Sequence, residues 1–87
     1  MTSAEKIMED ARAEIDDIYK DAAGERDQAL ALLGQISVSV TGHEATITTR
    51  RKLRVEVVMR RNEPLDRFEL RVRDAALTMI VYPGVRL

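Results

Sequence analysis

The chain has 87 residues, no cysteine and a formal net charge of −1. This length predicts one domain, residues 1–87, and the lack of thiols excludes disulfides and thiolate zinc sites. No apolar run approaches the ~18 residues of a membrane span and no signal-peptide pattern opens the chain, so we expect a cytoplasmic protein.

The small net charge conceals two halves of opposite sign. Residues 1–36 carry nine acids against four bases, whereas residues 37–87 carry ten bases against six acids. Such asymmetry indicates a charged partner surface, or two halves that neutralise each other within one molecule or dimer. Both interpretations stay open from the sequence.

The pattern of residues 2–34 predicts one long, acidic, amphipathic helix. Thr2 and Glu5 form a capping box at its start, and Gly34 fits the position just beyond its end. Gly24 interrupts the pattern at a cost of about 1 kcal/mol relative to alanine. A kink or a break into two helices near Gly24 is the alternative, and we favour the unbroken helix.

The apolar stripe on the first part of this helix is narrow, like the seam of a coiled coil. About 31 helical residues span roughly 46 Å, whereas five strands make a sheet only about 20–25 Å across. The first part of the helix would overhang such a sheet and need a partner helix, so we predict a homodimer. The predicted dimer seam comprises Met8, Ala11, Ile15, Ile18 and Ala22.

Residues 36–49 carry the clearest strand signal, because apolar and hydroxyl side chains alternate on both sides of Gly42-His43. Placing these two residues in a type II′ turn pairs Val38 with Ile47. The result is a hairpin with one apolar face and one face rich in serine and threonine.

A second hairpin is predicted from residues 53–59 and 67–73, with the basic triplet at 50–52 as the turn or bend before it. Its outward face collects five arginines and sets two pairs of them directly opposite each other. Like charges in that position are unfavourable, and a local rule broken without compensation often marks a functional surface. These arginines are Arg54, Arg60, Arg67, Arg71 and Arg73.

Together with a last strand over residues 77–82, these elements predict an α+β fold. One long N-terminal helix, residues 2–34, packs on a four- or five-stranded antiparallel meander, residues 36–87.

Few residues are suited to catalysis or to metal binding. His43 is the only histidine, lies in the predicted tight turn and has no nucleophile at a meaningful spacing. The four glycines stand apart, which excludes a glycine-rich phosphate loop, and His43 has no partner ligands for a metal. We therefore predict a non-enzymatic protein with no metal, cofactor, small-molecule ligand or membrane partner.

These observations favour a small interaction protein that docks a larger protein or complex through charged surfaces. The acidic helix would engage a basic groove as an inhibitor or decoy of a nucleic-acid-binding effector. A phage or mobile-element origin belongs to this hypothesis, although no residue pattern carries it. The acids concerned are Glu9, Asp10, Glu14, Asp17 and Asp21. The alternative is a nucleic-acid-binding regulator whose arginine face contacts phosphates, without an aromatic stacking platform.

Overall fold

The computed structural model describes residues 2–81, which form three helices and a three-stranded antiparallel sheet. The predicted α+β fold with an antiparallel sheet is confirmed, whereas the single long helix and the four or five strands are wrong. The elements are α1 (Ser3–Ile18), α2 (Ala23–Leu33), β1 (Ser37–Thr41), β2 (Glu44–Thr48), β3 (Arg54–Val58) and α3 (Leu65–Val81).

Helix α1 begins at the predicted N-cap, with one of the two hydrogen bonds of a capping box. The backbone N–H of Glu5 donates to the hydroxyl oxygen of Thr2 at 3.2 Å, which satisfies one of the unpaired amides of the first turn. The Thr2 hydroxyl in turn donates to the Glu5 carboxylate at 3.1 Å.

The predicted long helix is interrupted by the four residues 19–22, and Gly24 lies beyond this interruption. Residues 19–22 form a turn, in which the Ala22 N–H donates to the Tyr19 carbonyl oxygen at 2.9 Å, and α2 then starts at Ala23. The last turn of α1 holds acids but no base. Negative charge at a helix C-terminus opposes the helix dipole, so these acids favour termination there. Gly24 lies inside the first turn of α2 and is not the cause of the break.

The first hairpin is confirmed in its register. Val38 pairs with Ile47 and Val40 with Ala45. Gly42 has a φ of +60° while His43 keeps a negative φ, as a type II′ turn requires. Strand β3 then pairs with β2, so the sheet has the order β1-β2-β3.

The second predicted hairpin is wrong, because its returning strand is part of helix α3. Phe68 and Val72 are buried on α3, whereas Leu70 between them is 43% exposed. Apolar side chains alternate over residues 67–73 as they do on a strand. Buried residues nevertheless recur every four positions through Ala76 and Ile80, which is helical spacing and continues along the whole of α3. The predicted strand over residues 77–82 is likewise helical through Val81, and Tyr82 lies outside the described residues.

Helices α1 and α3 pack on one face of the sheet and against each other. Ile7 and Ile15 of α1 are fully buried, as are Ile47 of β2 and Phe68 of α3. Helix α1 has 16 residues and spans about 24 Å, half the predicted length. The C-terminal helix therefore covers the apolar face of α1 that the sequence appeared to leave without a partner.

Candidate protein-interaction surfaces

The predicted dimer seam is used mostly inside the chain. Ala11 and Ile15 are fully buried, and Met8 is half-buried against the same core. Ala22 is half-buried in the turn after α1, and Ile18 is 46% exposed. The homodimer stays a prediction, but the overhanging helix on which it depended is not present, and Ile18 is the seam residue that offers exposed apolar surface.

The five predicted acids lie on two sides of α1 and in the turn that follows it. Asp10, Glu14 and Asp17 share one face because they are four and three residues apart, while Glu9 lies about 100° around the helix. Asp21 is in the turn at residues 19–22. Glu9, Asp17 and Asp21 are exposed, and Asp10 and Glu14 are half-buried.

Ion pairs with α3 occupy the flank of α1 nearest that helix. The Lys6 Nζ lies 3.0 Å from the buried carboxylate of Glu69, and this hydrogen bond and charge raise the pKa of Lys6. Glu14 lies 3.9 Å from the Arg73 guanidinium. For the other four predicted acids, no lysine or arginine among residues 2–81 comes within 4.0 Å. These four carboxylates are therefore available to an external cation.

The five predicted arginines do not form one sheet face. Arg54 is on β3, Arg60 is in the loop after β3, and the other three are on α3. Arg73 bonds to Asp74 at 2.9 Å besides approaching Glu14. Arg71 is paired with Glu63 in the loop before α3. The opposed arginine pairs that the hairpin required are absent from the sheet of residues 37–58. Repulsion between arginines therefore does not mark a functional surface there.

Glu63 and Arg71 form a two-bonded ion pair that fastens the β3–α3 loop to α3. Arg71 Nε donates to Glu63 Oε2 at 2.8 Å and Arg71 Nη2 to Oε1 at 2.7 Å, while Nη2 also donates to the Val58 carbonyl oxygen. The Arg60 N–H donates to Glu63 Oε1 at 3.0 Å. Sequence reasoning missed this pair, since its partners are eight residues apart across a loop and no local spacing brings them together.

The hydrogen bonds from Arg71, and then that from the Arg60 backbone, lower the pKa of Glu63 from 4.5 to about 2. A carboxyl with a lower pKa in the folded state stabilises the fold above its unfolded pKa and loses that effect as pH falls toward the folded pKa. Glu63→Gln should therefore melt below wild type at neutral pH, and the difference should shrink between about pH 4.5 and pH 2. Thermal unfolding followed by circular dichroism across this range measures it.

Glu56→Gln is the matched control, because Glu56 is an exposed acid whose guanidinium contact is long, at 3.8 Å. We expect its melting temperature to track that of wild type at every pH. A pH dependence in Glu63→Gln identical to that of wild type would contradict the role given to the ion pair.

His43 is exposed at the tip of the β1–β2 turn, where its Nδ1 lies 3.3 Å from the Met59 sulfur. Among the described residues, no group of three or more histidines and carboxylates is placed to hold a metal ion. No helix in residues 2–81 combines the length and the apolar character needed to cross a bilayer. No protein family, curated protein or solved structure matches the chain.

Proposed function

We propose that this chain is a non-enzymatic interaction protein that docks a basic surface of a larger protein through the acids of α1. The observation that carries the proposal is the contrast between the buried apolar face of this helix and the exposed acids on and just after it. Its apolar face is anchored in the core, whereas Glu9, Asp17 and Asp21 are exposed with no cation of residues 2–81 within 4.0 Å. Acids on an already folded backbone require no backbone ordering on binding, which favours affinity.

The finer form of the proposal is a decoy of a nucleic-acid-binding effector. Asp10 and Asp17 are separated by about 10 Å along the helix axis at 1.5 Å per residue, and Asp21 extends the negative charge beyond its end. A basic groove that binds phosphates recognises such a series of anions mainly through charge. Docking would then block the nucleic-acid site of the effector.

Affinity capture from the native host, followed by mass spectrometry, tests the docking surface. The test variant is Glu9→Lys/Asp17→Lys/Asp21→Lys. It spares Glu14, which contacts Arg73, and Asp10, which adds to the field that raises the pKa of Lys6. We expect the partner captured by wild type to be lost, with an unchanged circular dichroism spectrum.

The control variant, Asp27→Lys/Glu44→Lys/Glu56→Lys, changes the net charge by the same amount at exposed acids on other elements. It should retain the partner. Equal retention by both variants would refute docking through α1, and equal loss would show that total charge and not the α1 surface controls capture. If the captured partner binds DNA or RNA, added wild-type chain should inhibit that binding, and failure to inhibit would refute the decoy.

Nucleic-acid binding by the chain itself is the second proposal. It is supported by the guanidinium groups of Arg60 and Arg67, which are on exposed residues and have no carboxylate of residues 2–81 within 4.0 Å. Salt-sensitive retention on DNA or RNA that Arg54→Ala/Arg60→Ala/Arg67→Ala removes would support it. Absence of a mobility shift at low salt would refute it. Arg71 and Arg73 are left intact because they contact Glu63 in the β3–α3 loop and Glu14 on α1, respectively.

A further inference from the structure

A groove of about 370 Å³ lies where the end of α2, the β2–β3 loop and the end of α3 meet. Leu32, Leu53 and Met79 contribute apolar side chains to it, and Arg50 and Arg51 stand among its lining residues. Leu53 is 62% exposed and Leu32 is 41% exposed. Exposed apolar surface beside charged residues is typical of binding sites and unfavourable in water, by about 25 cal/mol per Å².

The loop that carries the two arginines is held in one shape by its own hydrogen bonds. The Thr49 N–H donates to the Leu53 carbonyl oxygen at 2.9 Å, and the Leu53 N–H donates to the Thr49 hydroxyl oxygen at 3.1 Å. Lys52 closes the turn with a φ of +65° and an N–H donated to the Thr49 carbonyl oxygen. A left-handed conformation is unfavourable for a non-glycine residue, and such strain is often found at functional sites.

The loop between β2 and β3 carries only positive charge. Arg50, Arg51 and Lys52 are consecutive and exposed, and no carboxylate of residues 2–81 lies within 4.0 Å of them. Arginine binds carboxylates through two parallel hydrogen bonds, and the preorganised loop lowers the entropy cost of doing so.

We propose that this arginine-rimmed groove binds a peptide segment of a partner protein that carries apolar side chains flanked by aspartate or glutamate. The apolar side chains would fill the space beside Leu32, Leu53 and Met79, and the carboxylates would pair with Arg50 and Arg51. Charge complementarity selects this occupant. Residues 82–87 of the chain contain Arg86 as their one charged side chain, which has the same sign as the rim. Among residues 2–81 no aromatic side chain lines the groove, so this part of the chain offers nucleic acid no ring on which to stack.

This groove has the opposite charge to the acids of α1, so the inference goes beyond the proposed function and does not depend on it. Selection of a displayed library of random peptides on the full chain supplies the probe. We expect enrichment of sequences that combine leucine or aromatic residues with aspartate or glutamate. Enrichment of basic sequences, or no enrichment, would overturn the proposal.

The enriched peptide, labelled with a fluorophore, then tests the site by fluorescence polarisation. We expect the Kd of the peptide to rise by about tenfold or more in Arg50→Glu/Arg51→Glu and in Leu53→Asp. The controls are Arg54→Glu/Arg67→Glu, with the same change of charge, and Leu65→Asp, at another exposed leucine. Both controls should bind as wild type does, and so should Glu9→Lys/Asp17→Lys/Asp21→Lys.

Three outcomes of the same titration would overturn the proposal. Unchanged affinity in the groove variants would place the peptide elsewhere. Binding that appears only after residues 82–87 are removed would identify that segment as the occupant. Displacement of the peptide by self-association of the chain at high concentration would identify a second copy.

Discussion

Replacing Phe68 with alanine should lower the free energy of unfolding by about 3–5 kcal/mol. Phe68 has no exposed surface and is the largest fully buried side chain of the described core. A domain of this size has a total stability of roughly 5–15 kcal/mol, so the variant would lose a large part of it. Urea denaturation followed by circular dichroism gives the value.

Leu70→Ala is the control that separates the helix from the strand the sequence suggested. On a strand, Phe68 and Leu70 would share the buried face, and both substitutions would be severe. On α3, Leu70 points toward solvent and is 43% exposed. We therefore expect Leu70→Ala to cost less than about 1 kcal/mol, and a loss comparable to that of Phe68→Ala would contradict the position of α3.

Ile15→Ala should cost about 2–5 kcal/mol, because Ile15 is fully buried between α1 and the rest of the core. Ile18→Ala, one turn later on the same helix, should cost less than about 1 kcal/mol, since Ile18 is 46% exposed. Thermal or urea unfolding at low protein concentration measures both. Equal effects would contradict the packing of α1 within the single chain.

Of these two residues, Ile18 also tests the predicted homodimer. A dimer that buries the helix must melt at a higher temperature as protein concentration rises, because association stabilises only the folded state. Ile15→Asp cannot serve here, since a charge in the core would unfold the monomer as well. Sedimentation of Ile18→Asp beside wild type is the cleaner measurement. A monomeric wild type would refute the dimer.

Local signals in the sequence were sufficient for the capping box, the first hairpin and its turn. Each of these depends on residues within a few positions of one another, such as Thr2 with Glu5 or Gly42 with His43. The long helix was harder, because the apolar pattern continues across the break and only the acids near its end oppose it. Sequence reasoning assigned the break, if any, to Gly24 and interpreted those acids as a docking surface, not as a signal for helix termination.

The C-terminal half was misread for a different reason. Phe68, Leu70 and Val72 alternate as a strand does, and the same segment also fits a helix if the pattern is followed to Ile80. The error propagated into the candidate site, since it placed Arg71 and Arg73 on an open face. In the structure Arg71 bonds to Glu63 and Val58, which are neighbours only because the chain folds back at the loop.

Four of the five predicted acids lie on a helix, whereas Asp21 lies in the turn after α1. The sequence suggested that they flanked a seam for a second copy. With α3 covering most of that seam, the exposed carboxylates of Glu9 and Asp17 on α1, and of Asp21 in the turn after it, are left to meet a partner. The groove beside Arg50 could not be foreseen, because it joins residues from three elements.

The most direct test of the proposed function is to map where the captured partner contacts the chain. Amide chemical shifts of the isotopically labelled chain should be recorded while the unlabelled partner is added. Docking through α1 predicts that the largest changes fall on residues 9–21. Changes confined to residues 54–67, with the amides of α1 unmoved, would contradict it.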